Sequence, residues 1–397
     1  MSAVGNTAVV PAAGRSRAVA NGVLVLVLLS AGHMFADLYS GALGALQPLL
    51  VKRFGMSLAS AGLLGGLLAF SSSVMQPVYG YLSDRFRTRL FAALGPAVAG
   101  ILISCLGIAP SYSWLLVMVA AGGAGIAAFH PQASSQATLG ITRNRGRAMA
   151  FFLSAGTLGY AFGPTYFSMV TDRLGLGRTY WAAIPGLLIS ACLLLFLPAP
   201  AAPRKKTAAG FDWAALRAEA GPLTVLYLLV FLRSVVQIVF AQFIPLYLWR
   251  ERGFSVQTAS YTLTGYLAFG AIGGFAGGHL ADRFGGRRVT MFSMLGAVPC
   301  LALFFLGSGV PAMLGLWLCG LILLFTVPVN VVMAQELVPT QAGTISALMM
   351  GFAWGMAGLV FIPLVGWASD LFSMHHVLTA LIAAPVAGFF LSLRLKK

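Results

Sequence analysis

Twelve long apolar runs follow one another along this 397-residue chain, at about 21–50, 57–82, 90–108, 113–138, 147–170, 179–197, 222–248, 257–280, 289–307, 311–334, 342–367 and 376–393. A helix needs about 20 apolar residues to cross a bilayer, and a barrel strand about ten. Lipid offers no partners to exposed backbone groups, so runs of this length are expected to be helices. The chain is therefore read as an all-α integral membrane protein of twelve spans. Only 9% of its residues are charged, against about a quarter in an average soluble domain. That scarcity excludes a soluble enzyme, a disordered chain and a coiled coil. The formal charge of +16 would suggest nucleic acid in a soluble protein, but membrane topology accounts for it here. Cys105, Cys192, Cys300 and Cys319 lie in apolar runs without metal or redox spacing and read as small buried hydrophobes.

Lys and Arg set the orientation of a multispan chain. With the N-terminus inside, 18 of them fall on the cytoplasmic side, 6 fall outside, and Arg233 lies within a span. Both termini are thus expected in the cytoplasm, in a bacterial-type inner membrane. The first run is too long for a signal peptide and is followed by further spans, so it should remain uncleaved. The expected organisation is a cytoplasmic tail over 1–20, a six-helix bundle over 21–197, a Pro/Ala-rich and basic cytoplasmic linker over 198–221, a second six-helix bundle over 222–393, and a tail over 394–397.

The two halves repeat one another at an offset of about 198. Gly80-Tyr81-Leu82-Ser83-Asp84-Arg85-Phe86-Arg87-Thr88-Arg89 follows the second run, and Gly278-His279-Leu280-Ala281-Asp282-Arg283-Phe284-Gly285-Gly286-Arg287-Arg288 follows the eighth. Gly55 matches Gly253, Ser57 matches Ser255, and Asp172 matches Asp370 at the same spacing. Two copies of six spans in one orientation form a parallel repeat, the arrangement of carriers that rock two bundles about a central site.

The Gly-x-Leu-x-Asp-Arg-x-Gly-x-Arg pattern, present twice, resembles the signature loop of the major facilitator superfamily. Within it the chain looks like the fosmidomycin-resistance type, through His33-Met34-Phe35-Ala36-Asp37, Phe129-His130-Pro131, and Ala334-Gln335-Glu336-Leu337-Val338-Pro339 ahead of Gly351, Gly355 and Gly358. The resemblance implies two six-helix bundles related by a pseudo-two-fold axis and a proton-driven exporter of small drugs. Two departures stand against it. Arg87 replaces the first loop's glycine, and span 4 lacks the intramembrane arginine of many drug–proton antiporters. In span 5, Gly159, Gly163 and Pro164 match the core of an antiporter motif, though packing explains them equally well.

Asp84 and Asp282 stand where spans 2 and 8 reach the cytoplasm. A carboxylate there can clasp a basic side chain and a neighbouring helix N-terminus, so Asp84, Arg85, Arg89, Asp282 and Arg283 are candidate gating residues. The arginines serve equally as topology anchors. Glu336, at the mouth of span 10, is either a gate or a solvated acid.

Asp37 is the one acid placed near mid-span. A carboxylate in hydrocarbon is costly and needs a wet cavity, a partner or a proton. His33, one turn away, can share that proton. His130, in a polar stretch at the end of span 4, is the third proton-coupling candidate, or else a helix cap. A structural His33–Asp37 hydrogen bond is the plain alternative, and a metal pair completed by His130 or Glu336 is a further one. No metal or other cofactor is expected, the proton gradient being the drive. Arg233 stands on span 7 at the repeat depth of Asp37. It is expected to pair with that acid or to bind an anionic substrate, with Gln237 one turn along.

The expected function is secondary active transport: a proton-coupled exporter of a small anionic or amphiphilic compound, working by alternating access. The expected partners are the small molecule, protons and the bilayer, with no nucleic acid, and the chain acts as a monomer. An importer or uniporter of a natural organic anion is the alternative. An intramembrane enzyme using Asp37, His33 and His130 is more distant, since catalysis needs no duplicated gate. No phosphate-cradling loop for ATP is present.

Overall fold

The computed structural model describes residues 12–86, 88–141, 144–198 and 213–395, with residues 12–21 described by backbone alone. Within these the chain is helical and carries no strand. Twelve long helices run in order: α1 (Ala12–Phe54), α2 (Leu58–Phe86), α3 (Leu90–Ile108), α4 (Tyr112–Gln136), α5 (Arg145–Leu174), α6 (Leu176–Phe196), α7 (Ala220–Arg250), α8 (Val256–Phe284), α9 (Gly286–Leu306), α10 (Gly309–Leu337), α11 (Pro339–Leu371) and α12 (Met374–Ser392). Ten of these segments are both long and apolar enough to cross a membrane. The other two, α5 and α8, have 30 and 29 residues but carry more Gly, Ser, Thr and Tyr. That composition suits their place, because α5 packs between α1 and α8 rather than facing lipid all round. Arg87, Arg143, Arg204, Lys205, Lys206, Asp212, Lys396 and Lys397, and most of the expected linker, lie outside the described residues.

The sequence repeat has a physical basis at the helix ends. Gly55 and Gly253 both take positive φ, 58° and 71°, a conformation cheap only without a Cβ. Each ends a long helix. Two residues on, Ser57 accepts from Ser60 N at 3.1 Å, and Ser255 accepts from Thr258 N at 3.0 Å. These serines cap α2 and α8 by satisfying N–H groups the helix leaves free. Arg53 donates to the carbonyls of Gly107 and Ala109 at the end of α3. Arg252 likewise donates to Phe304 O at 3.1 Å, Phe305 O at 2.9 Å and Gly307 O at 2.9 Å at the end of α9. A guanidinium at a helix C-terminus satisfies orphan carbonyls and complements the dipole.

The halves meet along α2 against α11 and α1 against α7. Close approach is possible because glycine faces backbone there. A Cβ on Gly62 would stand 2.7 Å from Ile362 O, and one on Gly366 would meet Leu58 O. Small residues of this kind let membrane helices touch at their backbones. Among the described residues, the hydrogen bonds between the halves come from Asp370, at the end of α11, and from Thr165, within α5. Asp370 accepts from Leu58 N at 2.8 Å and from Ala59 N at 2.7 Å, and Thr165 donates to Thr264 at 2.8 Å. Asp370 fastens the halves at the end opposite the one that bears Asp84 and Asp282.

Candidate functional site

The first polar group is built on α1, α4 and α5. His33 and Asp37, one turn apart, share a face of α1. The His33 Nε2 lies 3.3 Å from Asp37 Oδ2, and the His130 Nε2 of α4 lies 3.1 Å from Oδ1. The three expected proton-coupling residues are thus one cluster, with His33 buried and the other two side chains about one-fifth exposed. The His33 ring lies against Phe152 with centroids 4.3 Å apart.

Glycine on α5 makes room for this arrangement. A Cβ on Gly156 would run into the His33 ring, one on Gly159 into Met34 O, and one on Gly163 into Leu38 O. The span-5 glycines therefore seat α5 on α1, and Gly156, which the sequence pattern did not single out, accommodates the imidazole. The signal was present in the sequence as a glycine one helical turn ahead of Gly159.

Hydrogen bonding fixes how many protons this geometry needs. His33 Nδ1 lies 2.8 Å from Phe152 O, and His130 Nδ1 lies 2.8 Å from Ile126 O. A carbonyl oxygen only accepts, so both Nδ1 atoms carry hydrogen. Each Nε2 then faces a carboxylate oxygen, and two lone pairs at that distance repel. Both contacts become attractive when two protons are distributed over the two imidazoles and the acid. The three ligand atoms also lie within 4.8 Å of one another, a spacing that would admit a metal ion; Glu336 is not in the group.

Of the two readings the sequence left open for Arg233, pairing with Asp37 is not the one this structure adopts. Both carboxylate oxygens of Asp37 already face imidazoles, and Arg233 Nη1 donates instead to Gln237 Oε1 at 2.5 Å, one turn along α7. Arg233 is 6% exposed. Its Nε is buried without a hydrogen-bond partner, and among the described residues no carboxylate lies within ion-pair distance. Removing a cation from water costs several kcal/mol unless an anion faces it. Two tyrosines near these charged sites went unmarked in the sequence, and the Tyr266 hydroxyl is buried without a hydrogen-bond partner. Tyr160 lies within electrostatic reach of Asp37, and Tyr266 within reach of both Tyr160 and Arg233. Tyr160 also meets Trp354 of the other half, ring centroids 6.1 Å apart.

Among the described residues, no ion pair or hydrogen bond joins the expected gating residues to one another. Asp84 and Asp282 are exposed and make no ion pair or hydrogen bond among the described residues. Arg85 donates to Tyr81 Oη at 3.2 Å on its own helix, Arg89 donates to Leu197 O, and Arg283 lies 5.3 Å from the Phe284 ring centroid. Glu336 is exposed. The loop after α2 is held instead by Gln132. Its Oε1 accepts from Ala92 N at 2.7 Å, while its Nε2 donates to Ser83 Oγ at 2.7 Å and to Thr88 O. Gln132 and His130 point from opposite faces of α4, one to the loop and one to the acid. The clasp across the two halves in this conformation is made at the far end, by Asp370 of α11 accepting from the first amides of α2.

Two six-helix halves meeting around buried ionisable groups are the architecture of membrane transporters. The sequence model of the Major Facilitator Superfamily matches residues 29–362. The chain belongs to the Major Facilitator Superfamily. It is 31% identical over 377 residues to the uncharacterized MFS-type transporter YfnC of Bacillus subtilis (strain 168), covering 92% of this chain and 91% of that one. It is 26% identical over 373 residues to the fosmidomycin resistance protein of Escherichia coli (strain K12), with the same coverages of 92% and 91%. Among solved structures it resembles a bacterial homolog of the human lysosomal transporter Spinster, crystallised in an inward-facing and unoccupied conformation. The TM-score is 0.80 at 19% identity, over 94% of this chain and 96% of that one. The nucleoside transporter NupG follows with a TM-score of 0.74 at 15% identity, over 94% and 100% of the two chains.

Proposed function

We propose that this protein is a proton-coupled antiporter that exports a small anionic or amphiphilic compound, as in fosmidomycin-like drug efflux. It would do so across a bacterial inner membrane as a monomer with both termini in the cytoplasm. One observation carries the reading: a carboxylate held between two imidazoles in the first half, and in the second a buried guanidinium with no counter-ion among the described residues. The first group takes up and releases protons, and the second attracts an anion. With the halves fastened by Asp370, access comes from the Asp84 end, where the cluster and Arg233 would load from the cytoplasm. Rocking then requires breaking the Asp370 contacts and closing the opposite end, where Asp84 and Asp282 are free to form a clasp.

The proton gradient supplies the drive, so no metal or other cofactor is invoked and no bond in the substrate is made or broken. The likeness to a fosmidomycin resistance protein over nine-tenths of both chains supports the direction of transport.

The test is substrate movement in proteoliposomes with an imposed pH gradient, using fosmidomycin as the first probe. The expected result is uphill accumulation of substrate on the acidic side, reversed when the gradient is reversed and abolished by a protonophore. Equilibration without uphill movement would replace export with uniport. Accumulation on the alkaline side would make the protein an importer. Chemical turnover of the substrate in detergent would favour an enzyme.

A further inference from the structure

The pocket beside Arg233 narrows the class of compound, an inference that rests on the transporter reading above. It has a cavity volume of about 210 Å³, bounded by α7, α8, α10 and α11, with Thr157 of α5 and Trp354 of α11 on the side of the proton cluster. Arg233 is the only ionisable side chain in its wall. One of its nitrogens is engaged with Gln237 and another is buried without a partner. A site of this kind compensates one negative charge. A second charge would find no cation in the same wall.

Most of the remaining wall is apolar, with Leu324, Val327, Val331, Met349 and Trp354 the larger contributors. Met349 belongs to a π-helical segment of α11, Ala347–Phe352, and such turns recur where a helix serves a site. Methionine adapts its shape to varied apolar groups. A cavity of roughly 150 Å³ holds a benzene molecule. The space here therefore fits one ring-sized or branched apolar body together with a small acidic head.

We propose that this pocket binds small organic acids with one anionic head on Arg233 and one compact apolar body against Val327, Met349 and Trp354. The geometry selects on both features. A short acid without the body leaves the apolar wall wet, and a neutral or cationic analogue leaves the guanidinium unpaired.

The experiment is equilibrium binding to the full-length protein in lipid nanodiscs, with no gradient present. The probes are 3-phenylpropionate, acetate, 3-phenylpropanol, 3-phenylpropylamine and phenylphosphonate, with empty nanodiscs correcting for partition into lipid. The expected result is binding of 3-phenylpropionate at least tenfold tighter than of acetate, the alcohol or the amine. In Arg233→Gln the acid and the alcohol should bind equally. Phenylphosphonate separates head groups: its affinity should fall as pH rises and its second charge forms, whereas that of the carboxylate should not.

Acetate binding as tightly as 3-phenylpropionate would overturn the apolar half of the proposal. The amine binding as tightly as the acid would overturn the anionic half. Both comparisons use the unaltered protein and survive any failure of the variant to fold. Failure of the transporter reading looks different, since the acids would then bind in nanodiscs without being moved by a pH gradient in proteoliposomes.

Discussion

Asp370 and Leu58 lie 312 positions apart in the chain, yet the aspartate carboxylate accepts the Leu58 amide at 2.8 Å across the seam between the two halves. Its second oxygen takes the amide of Ala59 at 2.7 Å, so one acid of α11 satisfies two of the free N–H groups that open α2. Hydrogen bonds to a charged partner contribute about 1.5–3 kcal/mol each. Asp370→Asn keeps one acceptor and loses the charge, weakening this fastening by about 2 kcal/mol. The expected outcome is a shift of roughly 30-fold toward the state open at this end. It can be read as faster labelling of a cysteine placed at Ser60 by a water-soluble maleimide. Unchanged labelling would show that the seam of glycines, and not the carboxylate, holds the end shut.

Asp37→Asn removes the group on which both imidazoles converge. The protein should still reach the membrane and exchange labelled for unlabelled substrate, because Arg233 and its pocket are untouched. Uphill transport driven by a pH gradient should fall at least tenfold. Retained uphill transport would place the proton site elsewhere.

Gly156→Ala puts a methyl group where the His33 ring stands. Overpacking of this kind costs about 1–3 kcal/mol, and here the strain falls on one imidazole of the cluster. The expected outcome is a shifted pH profile of transport with near-normal expression. Gly146→Ala, where nothing lies within 4 Å of the added atom, is the matched control and should behave as the unaltered protein. Equal behaviour of the two variants would remove the positioning role of Gly156.

Arg252→Lys replaces a planar fork that reaches three carbonyls at the end of α9 and the Tyr247 hydroxyl at 2.7 Å. A lysine ammonium cannot span that set. The expected loss is about 2 kcal/mol, from two or more unmade hydrogen bonds. It would be measured as a lowered midpoint in thermal unfolding of the detergent-solubilised protein. The substrate affinity of the folded fraction should be unchanged, since Arg252 lies outside the Arg233 pocket.

Much of the fold was legible because lipid removes alternatives. Apolar length alone requires helices, and the 198-residue repeat pairs Gly55 with Gly253 and Ser57 with Ser255 for reasons visible in their backbone and caps. The His33–Asp37 pairing was legible too, since both lie on one helix at a spacing of four. His130 reached the same acid from α4, which a polar stretch could suggest but not orient. Of the two readings open for Arg233, pairing with Asp37 is not made here, because equal depth in two spans does not specify which way either side chain points. The clasp was expected of Asp84 and Asp282, whose loops carry the motif, while in this conformation it is made by Asp370, known from sequence only as the repeat mate of Asp172.

The order of residues along the chain, by itself, determined the number of spans, their duplication and the rarity of charge within them. Each of these follows from transfer energies and chain periodicity, which are local. Only the tertiary structure decided that two imidazoles share one carboxylate, that the guanidinium has no counter-ion among the described residues, and that Asp370 fastens the halves at its end. Those outcomes depend on the facing of side chains from helices distant in sequence, which close glycine packing between backbones fixes and hydropathy does not encode.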